Sequence, residues 1–232
     1  MGDPLNERPL VSIIVPAFNE EATIREALER VLAVPVSKEV LVVDDASTDR
    51  TAEIAESFGP PVRMLRQTVN QGKGSAIRLA LGEAHGEIVA IQDADLEYFP
   101  EDLPSLLEPF RDRSVQVVYG TRFRPGRPRM RLANYIANRI LAAATNLLFG
   151  ASITDEATCY KLFRRELLQS FGLKCRRFEF CPEVTARTLR RGIKIVEVPI
   201  RYQPRTAEEG KKITWKDGFQ ALWTLLRYRF RE

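Results

Sequence analysis

Short apolar runs alternate along the chain with segments whose apolar residues recur at helical spacing. Val11-Ser12-Ile13-Ile14-Val15 is a β-branched run that closes at Pro16. From Glu21 to Leu32, residues Ile24, Leu28, Val31 and Leu32 share one helical face. Val40 to Val43 reads as a second buried strand ending in Asp44-Asp45, and Thr48 or Asp49 is placed to cap a helix from Arg50 to Ser57. Val62 to Leu65, Ile88 to Ile91 and Val115 to Tyr119 read as further strands, with helices over Ser75 to Ala84 and Glu101 to Phe110 between them. Continuous apolar strands separated by helices predict an α/β fold: a doubly wound, mainly parallel, Rossmann-like sheet covered on both faces.

Beyond residue 120 the pattern is less regular. Residues 121–131 form a loop rich in Arg, Pro and Gly, and 132–149 read as one long helix. Tyr160 to Phe163 and Ile193 to Val198 read as strands, with a helix at about 183–191 between them. Trp215 to Tyr228 is an amphipathic helix carrying Phe219, Leu222, Trp223 and Leu226. With no internal repeat and no low-complexity linker, the whole of 1–232 reads as one domain with an elaborated C-terminal part.

Composition narrows the function classes. The 232 residues are 44% apolar and 28% charged, which fits a soluble globular protein with a substantial core. The net charge of +4 hides a division: residues 1–110 carry 9 Lys+Arg against 20 Asp+Glu, and residues 111–232 carry 26 against 11. A basic second half predicts an anionic partner: nucleic acid, an anionic membrane surface or a phosphorylated substrate. His85 is the one histidine and reads as a solvated turn residue, so a multi-histidine metal site is excluded and a histidine-centred triad disfavoured. Cys159, Cys175 and Cys181 form no CxxC pair and read as reduced, packed thiols of a cytoplasmic protein. Met1 leads into Gly2-Asp3-Pro4 rather than a signal sequence, and no run is long enough to span a bilayer.

In open α/β sheets, ligands bind beyond the carboxyl ends of the strands. Four polar clusters are predicted there: Pro16-Ala17-Phe18-Asn19-Glu20, Asp44 to Asp49, Asp93-Ala94-Asp95 and Gly120-Thr121-Arg122. Asp44-Asp45 alone reads equally as a helix cap. Asp93 and Asp95, two positions apart, suit one hard cation, Mg²⁺ or Mn²⁺, and Glu97 is a third candidate carboxylate. There is no GxxxxGK[ST] loop, and Gly72-Lys73-Gly74 is followed by Ile77 where GxGxxG needs its third glycine. The 70–74 turn is therefore left between an ordinary capped turn and a close approach to a nucleotide.

Taken in order, Val-Pro-Ala-Phe-Asn-Glu (15–20), Val-Asp-Asp-Ala-Ser-Thr-Asp-Arg-Thr (43–51), Asn-Gln-Gly-Lys-Gly (70–74), Asp-Ala-Asp-Leu-Glu (93–97) and Gly-Thr-Arg (120–122) resemble a family 2 glycosyltransferase of the GT-A fold. Thr154-Asp155, Cys159-Tyr160-Lys161, Phe178 to Glu183, Val198-Pro199-Ile200 and the stretch from Tyr202 to Lys212 resemble its polyprenyl- or dolichyl-phosphate branch. The resemblance implies a nucleotide-sugar and metal half over about 8–122 and an acceptor and membrane-facing half over about 123–232. It implies a nucleotide pocket of Pro16, Ala17, Asn19, Glu20, Asp44, Asp45, Lys73 and Asp93, with Asp44-Asp45 meeting base and ribose. It implies a metal at Asp93 and Asp95, where the branch commonly has Gln at the position of Glu97. Arg122, Arg205 and Lys211 are implied near phosphate, the last two on a mobile basic loop, and Asp155 as a base or an orienting acid.

The expected reaction is inverting transfer of a hexose from a nucleotide sugar, of GDP-mannose or UDP-glucose type, to a polyprenyl phosphate. Asp95, Arg122, Asp155, Arg205 and Lys211 are its catalytic candidates, with Arg139 weighed beside them. The expected location is the cytoplasmic face of a membrane, peripherally bound, with a separate membrane protein left open as a partner. The C-terminal helix is read as packing mainly on the sheet, and 124–149 as divided between packing and an anionic surface. Transfer to a saccharide or glycolipid hydroxyl is the alternative, and would make Asp155 essential as base. A nucleic-acid-binding module and a receiver-like domain fit less well: the aromatics follow core periodicity, and the acidic pair follows the second strand rather than the first.

Overall fold

The computed structural model describes residues 10–124, 126, 128–205 and 215–231. The five apolar runs of the first half become strands β1 (Val11–Ala17), β2 (Lys38–Asp44), β3 (Val62–Arg66), β4 (Ile88–Ile91) and β5 (Val117–Thr121). The helices between them are α1 (Ile24–Ala33), α2 (Thr51–Glu56), α3 (Lys73–Glu83) and α4 (Leu103–Leu107). The predicted Glu101–Phe110 helix is divided: α4 lies between 3-10 turns at Pro100–Asp102 and Glu108–Arg111. Pro109 supplies no N–H and crowds the carbonyl four residues back, so the α-helical ladder ends there.

The second half adds α5 (Leu132–Phe149), β6 (Lys161–Arg164), α6 (Arg165–Ser170), α7 (Phe180–Arg190), β7 (Ile195–Pro199) and α8 (Trp215–Phe230). Helix α7 begins three residues before its predicted start, because Pro182 falls in the first turn, where no intrahelical N–H is required. Helix α5 keeps its predicted bounds and stops at Gly150, which takes the left-handed conformation at φ 66°.

The seven strands run in the order β3-β2-β1-β4-β6-β5-β7. All pairs are parallel except those of β6, which is antiparallel to β4 and to β5. The sheet is thus mainly parallel, as predicted, with one reversed strand near its middle. Strands β4 and β5 are buried throughout and β1 almost so, and such strands need cover on both faces. A second, smaller core joins α5, α7 and α8 through Leu141, Ala186, Ala221, Leu225 and Tyr228. Helix α8 therefore packs on α5 and α7 rather than chiefly on the sheet, which corrects the expectation for the C-terminal helix. Its Phe219, Trp223 and Phe230 stay exposed.

Candidate active site

The chain winds outward from β1 to β2 and β3 in one direction and from β4 in the other, so the topological switch point lies between β1 and β4. A crevice opens at such a point, beyond the carboxyl ends. Three non-glycine residues with positive φ lie in the loops there: Asn19 (52°) after β1, Ala46 (61°) after β2 and Leu96 (61°) after β4. A left-handed residue with a Cβ costs about 1–2 kcal/mol, and surrounding contacts must hold it. Here they do: Asn19 Oδ1 accepts from the Thr48 N–H at 2.9 Å, Ser47 Oγ accepts from the Asn19 N–H at 3.0 Å, and Thr51 Oγ1 accepts from the Glu20 N–H at 2.8 Å. Pro16 and Ala17 stand in register with Val43 and Asp44, which locks the two loops side by side.

Asp93 and Asp95 follow β4 directly into this crevice. Lys73, on the first turn of α3, donates to Asp93 Oδ1 at 2.5 Å. Burial alone would lower the Lys73 pKa, but Asp93 outweighs it and holds the ammonium above the ordinary lysine value. Arg205 Nη2 bridges Glu20 Oε2 at 2.9 Å and Asp95 Oδ2 at 3.3 Å. Both aspartates keep part of their side chains open, 21% and 24%, so a ligand can reach them. Two solvent-reachable carboxylates at a strand end fit a hard divalent cation. Glu97 does not join them. Its Oε1 accepts from the Arg205 N–H at 2.8 Å and its Oε2 from the Tyr202 hydroxyl at 3.0 Å. Among the described residues no three acidic, cysteine or histidine side chains converge on one point, so a three-carboxylate cage is not formed.

Asp44 and Asp45 diverge. Asp45 Oδ1 accepts from the Gln71 N–H at 2.8 Å and Oδ2 from the Gly72 N–H at 2.7 Å. Both oxygens thus shape the turn that presents Lys73. Asp44 is buried; Oδ1 accepts from the Ser47 N–H, and Oδ2, with no aligned hydrogen bond, lies 3.2 Å from Arg66 Nε. The glycines of the 70–74 turn serve an approach by the chain itself. A Cβ on Gly72 would stand 2.7 Å from the Arg176 carbonyl oxygen, and the Arg176 and Arg177 carbonyls accept from the Ser75 and Gly74 N–H groups. The first amides of α3 are therefore satisfied internally.

At the end of β5, Arg122 donates through Nε and Nη2 to the two oxygens of Asp155, each at 2.7 Å, and its N–H donates to Oδ2 at 3.0 Å. Asp155 is fully buried and Arg122 nearly so. Burial opposes the Arg122 charge, but Asp155 more than compensates and holds its pKa well above the ordinary arginine value. Glu197 on β7, a charge in an otherwise apolar strand and unremarked in the sequence, accepts from the Thr154 and Asp155 N–H groups at 2.8 and 3.1 Å. Arg139 is tied to the Thr154 carbonyl at 3.0 Å and stacks near Phe123. Burial pushes the Cys159, Cys175 and Cys181 thiols up, which keeps them protonated and packed near neutral pH. Lys211 lies outside the described residues.

Two cavities occupy the same sheet edge. One, of about 450 Å³, lies against Ala46, Ser47, Arg66, Gln67 and Thr68, beyond β2 and β3. The other, of about 830 Å³, is lined by Phe99, Arg122, Arg129, Ile200, Arg201 and Tyr202, beyond β5 and β7. Strand order puts Asp93 and Asp95 between them.

Residues 12–172 match the model of a protein family described as glycosyl transferase family 2. The chain belongs to that family. Among curated family 2 relatives, the undecaprenyl-phosphate mannosyltransferase of Micrococcus luteus is 32% identical over 87% of this chain and 86% of its own. The dolichol-phosphate mannosyltransferase of Pyrococcus furiosus is 29% identical over 87% of this chain and 58% of its own. The chain spans little more than half the length of two relatives, 58% of the Pyrococcus protein and 52% of the low-salt glycan biosynthesis hexosyltransferase Agl6 of Haloferax volcanii. Both mannosyltransferase names fall in the polyprenyl-phosphate branch that the sequence motifs indicate. The glucosyl-3-phosphoglycerate synthase of Mycobacterium tuberculosis, solved with Mn²⁺, uridine-diphosphate and phosphoglyceric acid, superposes with a TM-score of 0.73 at 24% identity, over 96% of this chain and 79% of its own. That likeness shows a shared GT-A fold.

Proposed function

We propose that this family 2 enzyme transfers a hexose from a nucleoside diphosphate sugar to a polyprenyl phosphate with inversion at the anomeric carbon. The observation that carries the reading is the state of Asp155. The acid expected to act as base toward a hydroxyl acceptor is buried and gives both oxygens to Arg122. An acceptor in this site therefore has to bring its own nucleophilic anion, and a phosphate monoester does so near neutral pH.

The order along the sheet edge supports the same assignment. The smaller cavity beside Asp44 would take the nucleoside. Glu20, Lys73, Asp93 and Asp95 hold the middle, where the diphosphate would lie. The larger cavity, with Arg122 held charged by Asp155, would take the acceptor phosphate. Charge-assisted hydrogen bonds of this kind orient phosphate oxygens. An acceptor oxygen attacks C1 from the face opposite the diphosphate; the new C1–O bond forms as the old one breaks, and the leaving electron pair goes to the diphosphate oxygen. Mg²⁺ or Mn²⁺ held by Asp93 and Asp95 would supply Lewis-acid stabilisation of that leaving group. Lys73 aims Asp93, and Asp45 shapes the turn that presents Lys73.

The lipid tail calls for a surface, and no helix among the described residues is long and apolar enough to cross a membrane. Of the eleven large apolar side chains exposed among the described residues, eight lie on α5 and α8. Residues 122–154 contain six arginines and no acidic residue. We read α5 and α8 as a face that rests peripherally on an anionic, cytoplasmic membrane surface.

A donor screen followed by turnover with undecaprenyl phosphate and with saccharide acceptors tests the reading. Transfer to the lipid phosphate alone is expected, and transfer to a saccharide hydroxyl alone would overturn it. Asp93→Ala is expected to fold and to lose turnover; full activity of that variant without metal would overturn the metal assignment.

A further inference from the structure

We propose that Glu97 is a positioning residue: a latch that holds Arg205 on Asp95 and so sets how readily a divalent cation enters the Asp93–Asp95 pair. The inference rests on reading that pair as the metal site, and it gives Glu97 a role other than ligand.

Residues 202–205 are tied to this one side chain and its neighbour at several points. Glu97 Oε2 accepts from the Tyr202 hydroxyl at 3.0 Å, Oε1 from the Arg205 N–H at 2.8 Å, and the Glu97 carbonyl from the Gln203 N–H at 2.9 Å. Tyr98 and Tyr202 add an antiparallel bridge, with their rings 5.4 Å apart. Leu96, left-handed at φ 61°, lies immediately before Glu97, where the chain turns out of the Asp93-Ala94-Asp95 segment.

The tie determines where Arg205 lies. Its main chain is fixed by Glu97, and its largely buried guanidinium reaches Glu20 Oε2 and Asp95 Oδ2. Arg205 thus acts as an internal counter-cation on an oxygen that a metal would need. A guanidinium beside that oxygen repels an incoming divalent ion and competes for the carboxylate charge, so metal entry is easier once Arg205 withdraws. A diphosphate arriving with the metal offers the guanidinium a better partner than Glu20, because Arg pairs bidentately with phosphate. The latch therefore couples metal entry to donor arrival and keeps the cation site neutralised until then.

The sign of a mutational effect separates latch from ligand. Mn²⁺ affinity of the full chain, titrated without nucleotide by electron paramagnetic resonance, is one readout; amide hydrogen exchange at 203–205 is the other. Tyr202→Phe changes no charge and keeps the ring beside Tyr98 and Arg122, deleting only the hydroxyl. It is expected to tighten Mn²⁺ binding by about threefold, within the worth of one hydrogen bond to a charged group, and to speed exchange at 203–205. Glu97→Ala is expected to speed that exchange further without weakening Mn²⁺. Unchanged affinity and exchange in Tyr202→Phe, or Mn²⁺ at least about tenfold weaker in Glu97→Ala with exchange as in the parent, would overturn the latch and leave the metal reading standing. Failure of the parent and both variants to bind Mn²⁺ even with a nucleoside diphosphate present would remove the metal reading and the latch with it.

Discussion

Arg122 lies almost wholly out of water, and its charge is met by Asp155 through two side-chain bonds and one from its main chain. A buried charge left without its partner is costly, typically about 3–5 kcal/mol when one member is removed. Asp155→Asn is therefore expected to lower stability by about that much in urea denaturation, and to weaken acceptor binding through a misplaced Arg122 rather than through loss of a base. Stability close to the parent would contradict the clamp. Other single residues show how far the sequence could be read at this scale. Asp93 and Asp95 were legible as a candidate pair because their spacing and strand-end position are local properties. The difference between Asp44 and Asp45 was not. The two are chemically identical and adjacent, and only the 70–74 turn brought against β2 gives Asp45 its two amide partners.

Element identity followed the hydrophobic period closely where the period was long. Helix α5 matches its expected span, whereas prolines moved the boundaries of α4 and α7. The reversed direction of β6 had no local signal, because an apolar run has the same pattern read either way. Glu39 on β2, just outside the apolar run Val40 to Val43, shows elements held together by a single carboxylate. It accepts from Ser12 Oγ at 2.6 Å and from the His85 N–H at 2.6 Å, joining β1, β2 and the turn before β4. Burial opposes its ionisation, but the bonds from Ser12 and His85 prevail and place its carboxyl below the ordinary value of 4.5. A depressed folded-state pKa stabilises above the unfolded value, and that contribution is lost as pH falls through the folded one. Glu39→Gln is thus expected to be less stable than the parent near neutrality and to converge on it below about pH 4, by urea midpoints across that range. A constant difference at all pH values would refute the assignment.

Across the whole molecule, the acidic and basic halves acquire distinct places. Much of the acidic excess of the first half is helix and turn surface, but Glu20, Asp44, Asp93 and Asp95 gather at the switch point. The basic half contributes Arg122 and Arg205 to that edge, and the acid-free stretch 122–154 runs into α5. Phe219, Trp223 and Phe230 on α8, which packs against α5, are exposed as well. Flotation with anionic liposomes is expected to carry the chain at low salt and to release it as salt rises, since each basic residue at such a surface contributes roughly 1 kcal/mol. Replacing Phe219 and Trp223 together by Ala should weaken that binding at least about tenfold while leaving Mn²⁺ binding intact. Failure to float, or flotation insensitive to both salt and the double variant, would refute the docking face.

The sequence by itself determined the α/β class, the chief elements, the sheet edge where the candidate site residues lie, and the family. Each of these depends on local periodicity or on residues a few positions apart. The tertiary structure decided which acids stay open to solvent and which are tied to the scaffold, because that depends on partners far along the chain. Arg205 reaches Asp95, Asp155 clamps Arg122, and Glu97 is taken by Tyr202. The fate of the C-terminal helix was decided in the same way: its period announced one apolar face, but α5 and α7 rather than the sheet received part of it, and the remainder stayed exposed.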